Sequence, residues 1–156
     1  MTVLDLGGGD GRVAKSFAQE KLGRYVVVDV AQELLDRAPA WVEKMKLDLN
    51  QSWELDQRFD LLLCFFVLLH LHDIEHFFTQ AALYVQPGGR LIVLHHLERK
   101  PFLHTVNHEK FKIQIVHHSF EELELQAERY GFSCDYLDLE NHGAHDSRVY
   151  CFTMSE

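Results

Sequence analysis

Apolar residues recur along this chain in short consecutive runs, separated by stretches with a helical period. Runs at about 2–6, 25–30, 45–49, 60–66 and 90–95 are apolar at successive positions, as in Tyr25-Val26-Val27-Val28 and Leu61-Leu62-Leu63-Cys64-Phe65-Phe66. A strand with one wet face would alternate apolar and polar residues, so these runs predict strands covered on both faces. Between them the pattern predicts helices. One covers 12–21, with Val13 and Phe17 on its stripe, and one covers 31–37, with Leu34 and Leu35. A third covers 74–85, with Phe77, Phe78, Ala81 and Tyr84, and stops at Pro87-Gly88-Gly89. A fourth starts at Ser119, where Glu122 three residues on completes a capping box, and ends at Gly131. The link from Asn50 to Arg58 is too short for a full helix.

Strands alternating with helices imply a parallel sheet with right-handed crossovers. The end of the chain differs. Segments 132–139 and 148–154 both read as strands, and the join between them is shorter than the dozen or so residues a parallel crossover needs. They are therefore expected to pair antiparallel. The fold class is α/β: a mostly parallel seven-stranded sheet, helices on both faces, and a C-terminal antiparallel hairpin. A chain of 156 residues is expected to form one domain, 1–156.

Composition narrows the partners. The formal net charge is −9, which disfavours nucleic acid, because such binding draws its affinity from phosphate neutralisation. A local basic excess (Arg99, Lys100, Lys110, Lys112) marks the irregular segment 97–118, read as a solvated loop or a substrate-side lid. Cys64, Cys134 and Cys151 are odd in number, match no zinc spacing and sit in apolar runs, so they read as reduced core residues. No basic leader precedes an apolar stretch, and the longest apolar run, Leu61 to Leu69, is too short to span a bilayer. A cytoplasmic protein without membrane contact is expected.

The chemistry starts at Asp5-Leu6-Gly7-Gly8-Gly9-Asp10-Gly11, a glycine turn between the first strand and the next segment. Such a turn places a ligand at the carboxyl edge of the sheet, near the reversal of strand order. A dinucleotide site would need G-x-G-x-x-G, but Arg12 stands where the third glycine belongs, and Asp10 would face a pyrophosphate. The order is instead D-x-G-x-G-x-G. With Asp29 ending the second strand, Asp48 ending the third, Phe59-Asp60-Leu61-Leu62-Leu63-Cys64, Val67 to Asp73, and Pro87-Gly88-Gly89-Arg90-Leu91-Ile92-Val93, the chain resembles class I, Rossmann-like S-adenosylmethionine (SAM) dependent methyltransferases along nearly its whole length.

That resemblance implies SAM as cofactor and methyl transfer to a small-molecule acceptor. It implies that Asp5, Gly7, Gly8 and Gly9 hold the methionine part, that Asp29 holds the ribose, and that Val30 packs on the adenine. Asp48 and Leu49 would contact the adenine edge, and the backbone of Cys64 and Phe65 would lie near the amino group and sulfonium. The non-catalytic alternative is a subunit of the same fold that supports a partner protein.

Eleven histidines are unusual for this length, and several come in pairs. His70 and His72 follow the fourth strand, and His95 and His96 end the fifth, so both pairs are expected beside the substrate cavity. His95 or His96 is the candidate base, or orients an acidic hydroxyl, because histidine titrates near neutrality. No metal site is expected. Relatives of this type carry a helix before the glycine turn, whereas here one residue precedes the first strand. Three arrangements fit this start: a piece of a longer chain, a homodimer or partner supplying the cover, or an open site.

Overall fold

The computed structural model describes the backbone of residues 1–96, 102–106, 109–113, 115–141 and 144–156, and the side chains of 1–96, 115–140 and 147–156. Strands β1 (Thr2–Leu6), β2 (Arg24–Asp29), β3 (Glu43–Lys46), β4 (Phe59–Phe65) and β5 (Val85–His96) pair in parallel. A small antiparallel pair follows, β6 (Phe102–Val106) with β7 (Glu109–Ile113). The hairpin β8 (Phe132–Asn141) and β9 (Ala144–Met154) closes the main sheet, with β9 antiparallel to both β5 and β8. The order is β3-β2-β1-β4-β5-β9-β8. The chain leaves β1 in one direction and returns to β4 on its other side, so a crevice opens above the carboxyl ends of β1 and β4.

The two faces of the sheet are covered unequally. On the first, Leu4, Leu6, Val26, Val28, Leu62, Cys64, Leu91, Val93, Tyr150 and Phe152 form one buried core with helices α2 (Ile74–Tyr84) and α3 (Phe120–Arg129). On the second, Val3, Tyr25, Val27 and Leu63 pack with buried Ala14, Leu35, Ala38 and Val42 and with partly buried side chains such as Phe17 and Leu22. Its cover is the four-residue α1 (Gln32–Leu35) and two single 3-10 turns, Ala14–Ser16 and Gln19–Lys21.

Those turns replace the helix expected over 12–21. Phe17 is extended (φ −89, ψ 141) between them, and its ring meets Tyr25 edge-on at 5.4 Å. Packing of one aromatic on β2 outweighs the weak helical period of a segment whose only large apolar side chains are Val13 and Phe17. The third strand lies at 43–46, not 45–49. Its side chains are mostly exposed, as befits an edge, while Leu49 turns into the core. Helix α2 stops at Tyr84, and β5 begins at once. Pro87-Gly88-Gly89 lies inside that strand, at an irregularity where Phe59 pairs with Val85 and Leu61 with Arg90. Cys134 is exposed on the edge strand rather than buried in the core, whereas Cys64 is buried; all three thiols are free. The α3 start matches its capping pattern: the Glu122 N–H donates to Ser119 Oγ at 3.1 Å. Part of segment 97–118 forms β6 and β7. Arg99, Lys100 and the side chains of Lys110 and Lys112 lie outside the described residues.

Candidate functional site

The glycine turn is fixed from beneath by β1 and from the side by β2. Gly7 has φ +67, and a Cβ there would run into Val67. At Gly8 a Cβ would lie 2.5 Å from the Asp5 carboxyl carbon, so only glycine lets the turn sit over a buried acid. Asp5 is 2% exposed and accepts a 2.9 Å bond from the Tyr25 hydroxyl. Burial raises its carboxyl to about 6; the Tyr25 bond opposes the rise, and the nearby Asp29 charge adds to it.

Asp29 ties the turn to the second strand. Its Oδ2 accepts from the Gly9 N–H at 3.0 Å, and its Oδ1 accepts from the Ala31 N–H at 2.9 Å. Each carboxylate oxygen has a second lone pair, so both can still accept from a ligand hydroxyl. Asp48 lies two residues beyond the end of β3, not at the strand terminus. Its Oδ1 accepts from the Asn50 N–H and side-chain amide at 2.9 and 3.2 Å, an Asx turn that fixes the carboxylate.

These ends enclose a cavity of about 420 Å³, a volume suited to a small ligand. Gly7, Asp29, Val30, Asp48, Leu49 and Phe65 all line it. Val30 is 61% exposed, an apolar surface at the mouth. Asp5, Gly8 and Gly9 are not among its lining residues. Cys64 is fully buried below the cavity, and burial pushes its thiol up. Among the described residues, no Lys or Arg lines the cavity, while two carboxylates do. That balance suits a ligand with a cationic centre and disfavours a phosphate.

The far wall follows β4. Phe66, Val67, His70 and Leu71 line it, the last three in or beside the 3-10 turn Leu68–His70. Of the first histidine pair, His70 reaches the cavity, while His72 is exposed and its N–H donates to Asn50 Oδ1 at 3.0 Å. His95 and His96 point to opposite faces of the sheet, as neighbours on a strand must. His95 is 2% exposed on the helix-covered face. Its Nε2 donates to the His118 carbonyl at 3.0 Å, and its Nδ1 has no partner. Burial lowers its pKa to about 4; the bond to His118 works against that fall. His96 Nδ1 lies 2.7 Å from Ser147 Oγ, and its ring stacks on Phe66 with centroids 4.4 Å apart. Neither lines the cavity directly.

Sequence reasoning missed Tyr25, Phe66 and the support for the far wall. His118 Nε2 donates to the Leu71 carbonyl at 2.9 Å, and the Val116 N–H donates to the Leu69 carbonyl at 2.9 Å. These bonds pin the wall from residues 45 or more positions away. A tyrosine in a run of valines was the available signal for the Asp5 partner. The pattern carries none for Phe66. Among the described residues, no cluster of His, Cys, Asp and Glu could hold a metal.

A family model described as "Methyltransferase domain" matches residues 1–137. The ubiquinone biosynthesis O-methyltransferase of Coxiella burnetii is 33% identical over 97 residues, 57% of this chain and 41% of that protein. The demethylmenaquinone methyltransferase of Tropheryma whipplei is 31% identical over 100 residues, 58% of this chain and 40% of that protein. The chain thus spans about two-fifths of the length of these curated relatives. Among solved structures, the DhpI–SAH complex superposes with a TM-score of 0.78 at 22% identity, covering 99% of this chain and 78% of that one. A methyltransferase from Listeria monocytogenes superposes with a TM-score of 0.81 at 12% identity, covering 99% and 91%. At those identities the superpositions establish the fold.

Proposed function

The chain belongs to the methyltransferase-domain family, and from that premise we propose that it binds SAM in the cavity above β1 and β4 and transfers the methyl group to a small molecule. The observation that carries this reading is convergence. A glycine turn after β1, Asp29 at the end of β2 and Asp48 two residues beyond β3 meet at one cavity that, among the described residues, no Lys or Arg lines.

In this reading Gly7, Gly8 and Gly9, seated on Asp5, take the methionine part of the ligand. Asp29 accepts the ribose hydroxyls with its remaining lone pairs, and Asp48 takes the adenine amino group. Val30 and Leu49 supply the apolar surfaces for the adenine ring. The backbone at Cys64 and Phe65 lies beside the amino group and the sulfonium. SAM supplies a methyl carbon already activated by its sulfonium, so the chain's task is alignment of the acceptor. A base is needed only where the acceptor must lose a proton. We assign no such role to His95 or to His96, since neither lines the cavity: His96 stacks behind Phe66 and backs that wall. His95, buried and held neutral, positions the 115–118 segment.

The quinone-biosynthesis names of the curated relatives support a small-molecule acceptor. Residues 1–156 act as one domain in this account. Among the described residues, no helix is long and apolar enough to cross a membrane. Three free thiols support a reducing, cytoplasmic setting. Exposed Leu137 and Leu139 on the thinly covered face support contact there with a second copy or partner.

The test is transfer of a labelled methyl from SAM to a panel of phenols, alcohols and amines. Acceptor-dependent label in the product is expected. Saturable SAM binding with no transfer to any member would confine the protein to binding. No SAM binding at all would remove the reading.

A further inference from the structure

The two walls of the cavity differ in chemistry. The wall over β2 and β3 carries carboxylates, and the wall over β4 carries an aromatic ring. Phe66 holds φ +61, a left-handed backbone that favours Gly, Asn and Asp and is costly for a bulky side chain. The fold maintains it there: the Phe66 N–H donates to the Leu94 carbonyl of the neighbouring strand at 2.8 Å. That bond turns the side chain to the cavity instead of continuing the strand alternation. A phenylalanine held this way for packing would be buried, yet Phe66 is 38% exposed and lines the cavity.

Its other surroundings form a support. The His96 ring lies nearly parallel to Phe66, at 24° and 4.4 Å between centroids. His96 is itself bonded to Ser147 on β9. Three consecutive strands, β4, β5 and β9, thus contribute one layer each: exposed ring, backing ring, anchoring hydroxyl. A ring fixed before binding loses little freedom when a flat partner settles on it. Strand order sets where that partner lies. β4 is two strands from β2, about 10 Å at ordinary sheet spacing, so Phe66 stands away from Asp29 and further still from Asp48.

We propose that Phe66, backed by His96, is the docking surface for the methyl acceptor and that the acceptor is a planar aromatic ring. This assignment rests on the methyltransferase reading for the meaning of "acceptor", but the ring-binding surface can be tested separately. An aliphatic acceptor would fill the same space without the face-to-face contact. Ring-on-ring contact adds up to roughly tenfold in affinity beyond simple burial.

Phenol and cyclohexanol, matched in size and hydroxyl but not in planarity, serve as probes against the chain saturated with S-adenosylhomocysteine. Binding is followed by ligand-observed NMR, and folding of each variant by thermal unfolding. Phenol is expected to bind about tenfold tighter than cyclohexanol. Phe66→Leu, which keeps apolar bulk, should erase that preference, and Phe66→Tyr should retain it. S-adenosylhomocysteine affinity should stay within about twofold in Phe66→Leu, since the ring lies outside the carboxylate wall. The proposal is overturned if cyclohexanol binds as well as phenol, or if Phe66→Leu keeps the preference. It is equally overturned if the variant loses S-adenosylhomocysteine and phenol together, because Phe66 would then serve the nucleoside. Should the unaltered chain bind no S-adenosylhomocysteine, the methyltransferase reading fails instead. The phenol preference of the ligand-free chain then decides the ring site alone.

Discussion

The two halves of the cavity are built by different means. The half over β1, β2 and β3 is local: a glycine turn, a carboxylate at a strand end, and an Asx turn, each set by a few adjacent residues. The half over β4 and β5 is assembled from a distance. Phe66 depends on Leu94 and His96, and Leu71 depends on His118. Each half also rests on one buried ionisable side chain that burial drives toward its neutral form, Asp5 in the first and His95 in the second. Local construction gives a recognisable sequence and a rigid turn.

The largest expected effect compares those two buried groups. Asp5 is raised to about 6 from an ordinary 3.8. The folded chain therefore keeps a proton that the unfolded chain has released. That stabilisation is full below pH 3.8 and is lost as pH rises through 6. His95 is lowered to about 4 from 6.5. Its contribution is present above 6.5 and is lost as pH falls through 4. Each amounts to about 3 kcal/mol at most, and over pH 4–6.5 they oppose one another. Urea unfolding of Asp5→Asn against the parent should expose a loss of stability toward acid. His95→Gln should expose a loss toward neutrality. Parallel curves for all three chains would show that neither half carries a perturbed group.

Next in size is Asp29→Ala. It removes two backbone anchors of the turn, at 3.0 and 2.9 Å, together with the proposed ribose contact. S-adenosylhomocysteine affinity should fall about 100-fold, in line with losing charge-assisted hydrogen bonds in a partly buried setting. Phenol binding at Phe66 should change little. A parallel fall in both would mean that the two halves form one unit. The smallest effect is Ser119→Ala. The lost cap of α3 should cost about 1 kcal/mol in urea. Because α3 follows directly on His118, phenol affinity should soften while S-adenosylhomocysteine affinity holds.

The same division explains how much the sequence reveals. The strand runs other than the third, the closing hairpin and the Ser119 cap are local patterns, and the structure follows them. Asp29, Asp48, Val30 and Leu49 could be named because each sits at or just beyond a strand end in a recognisable order, and all four line the cavity. The segment after the turn is a local failure: Phe17 packs on Tyr25 and breaks the expected helix into two turns. The wall over β4 is a different failure. Alternation alone could have separated His95 from His96, since neighbours on a strand face opposite ways. No pattern announces that Phe66 takes a left-handed backbone, because a bond to Leu94, 28 residues later, holds it there.

The central claim is that this cavity is a SAM site, and calorimetric titration with S-adenosylhomocysteine tests it most directly. The account predicts saturable one-to-one binding, with a Kd on the order of micromolar, and no competition from NADH. Absence of saturable binding, or displacement by NADH, would contradict it.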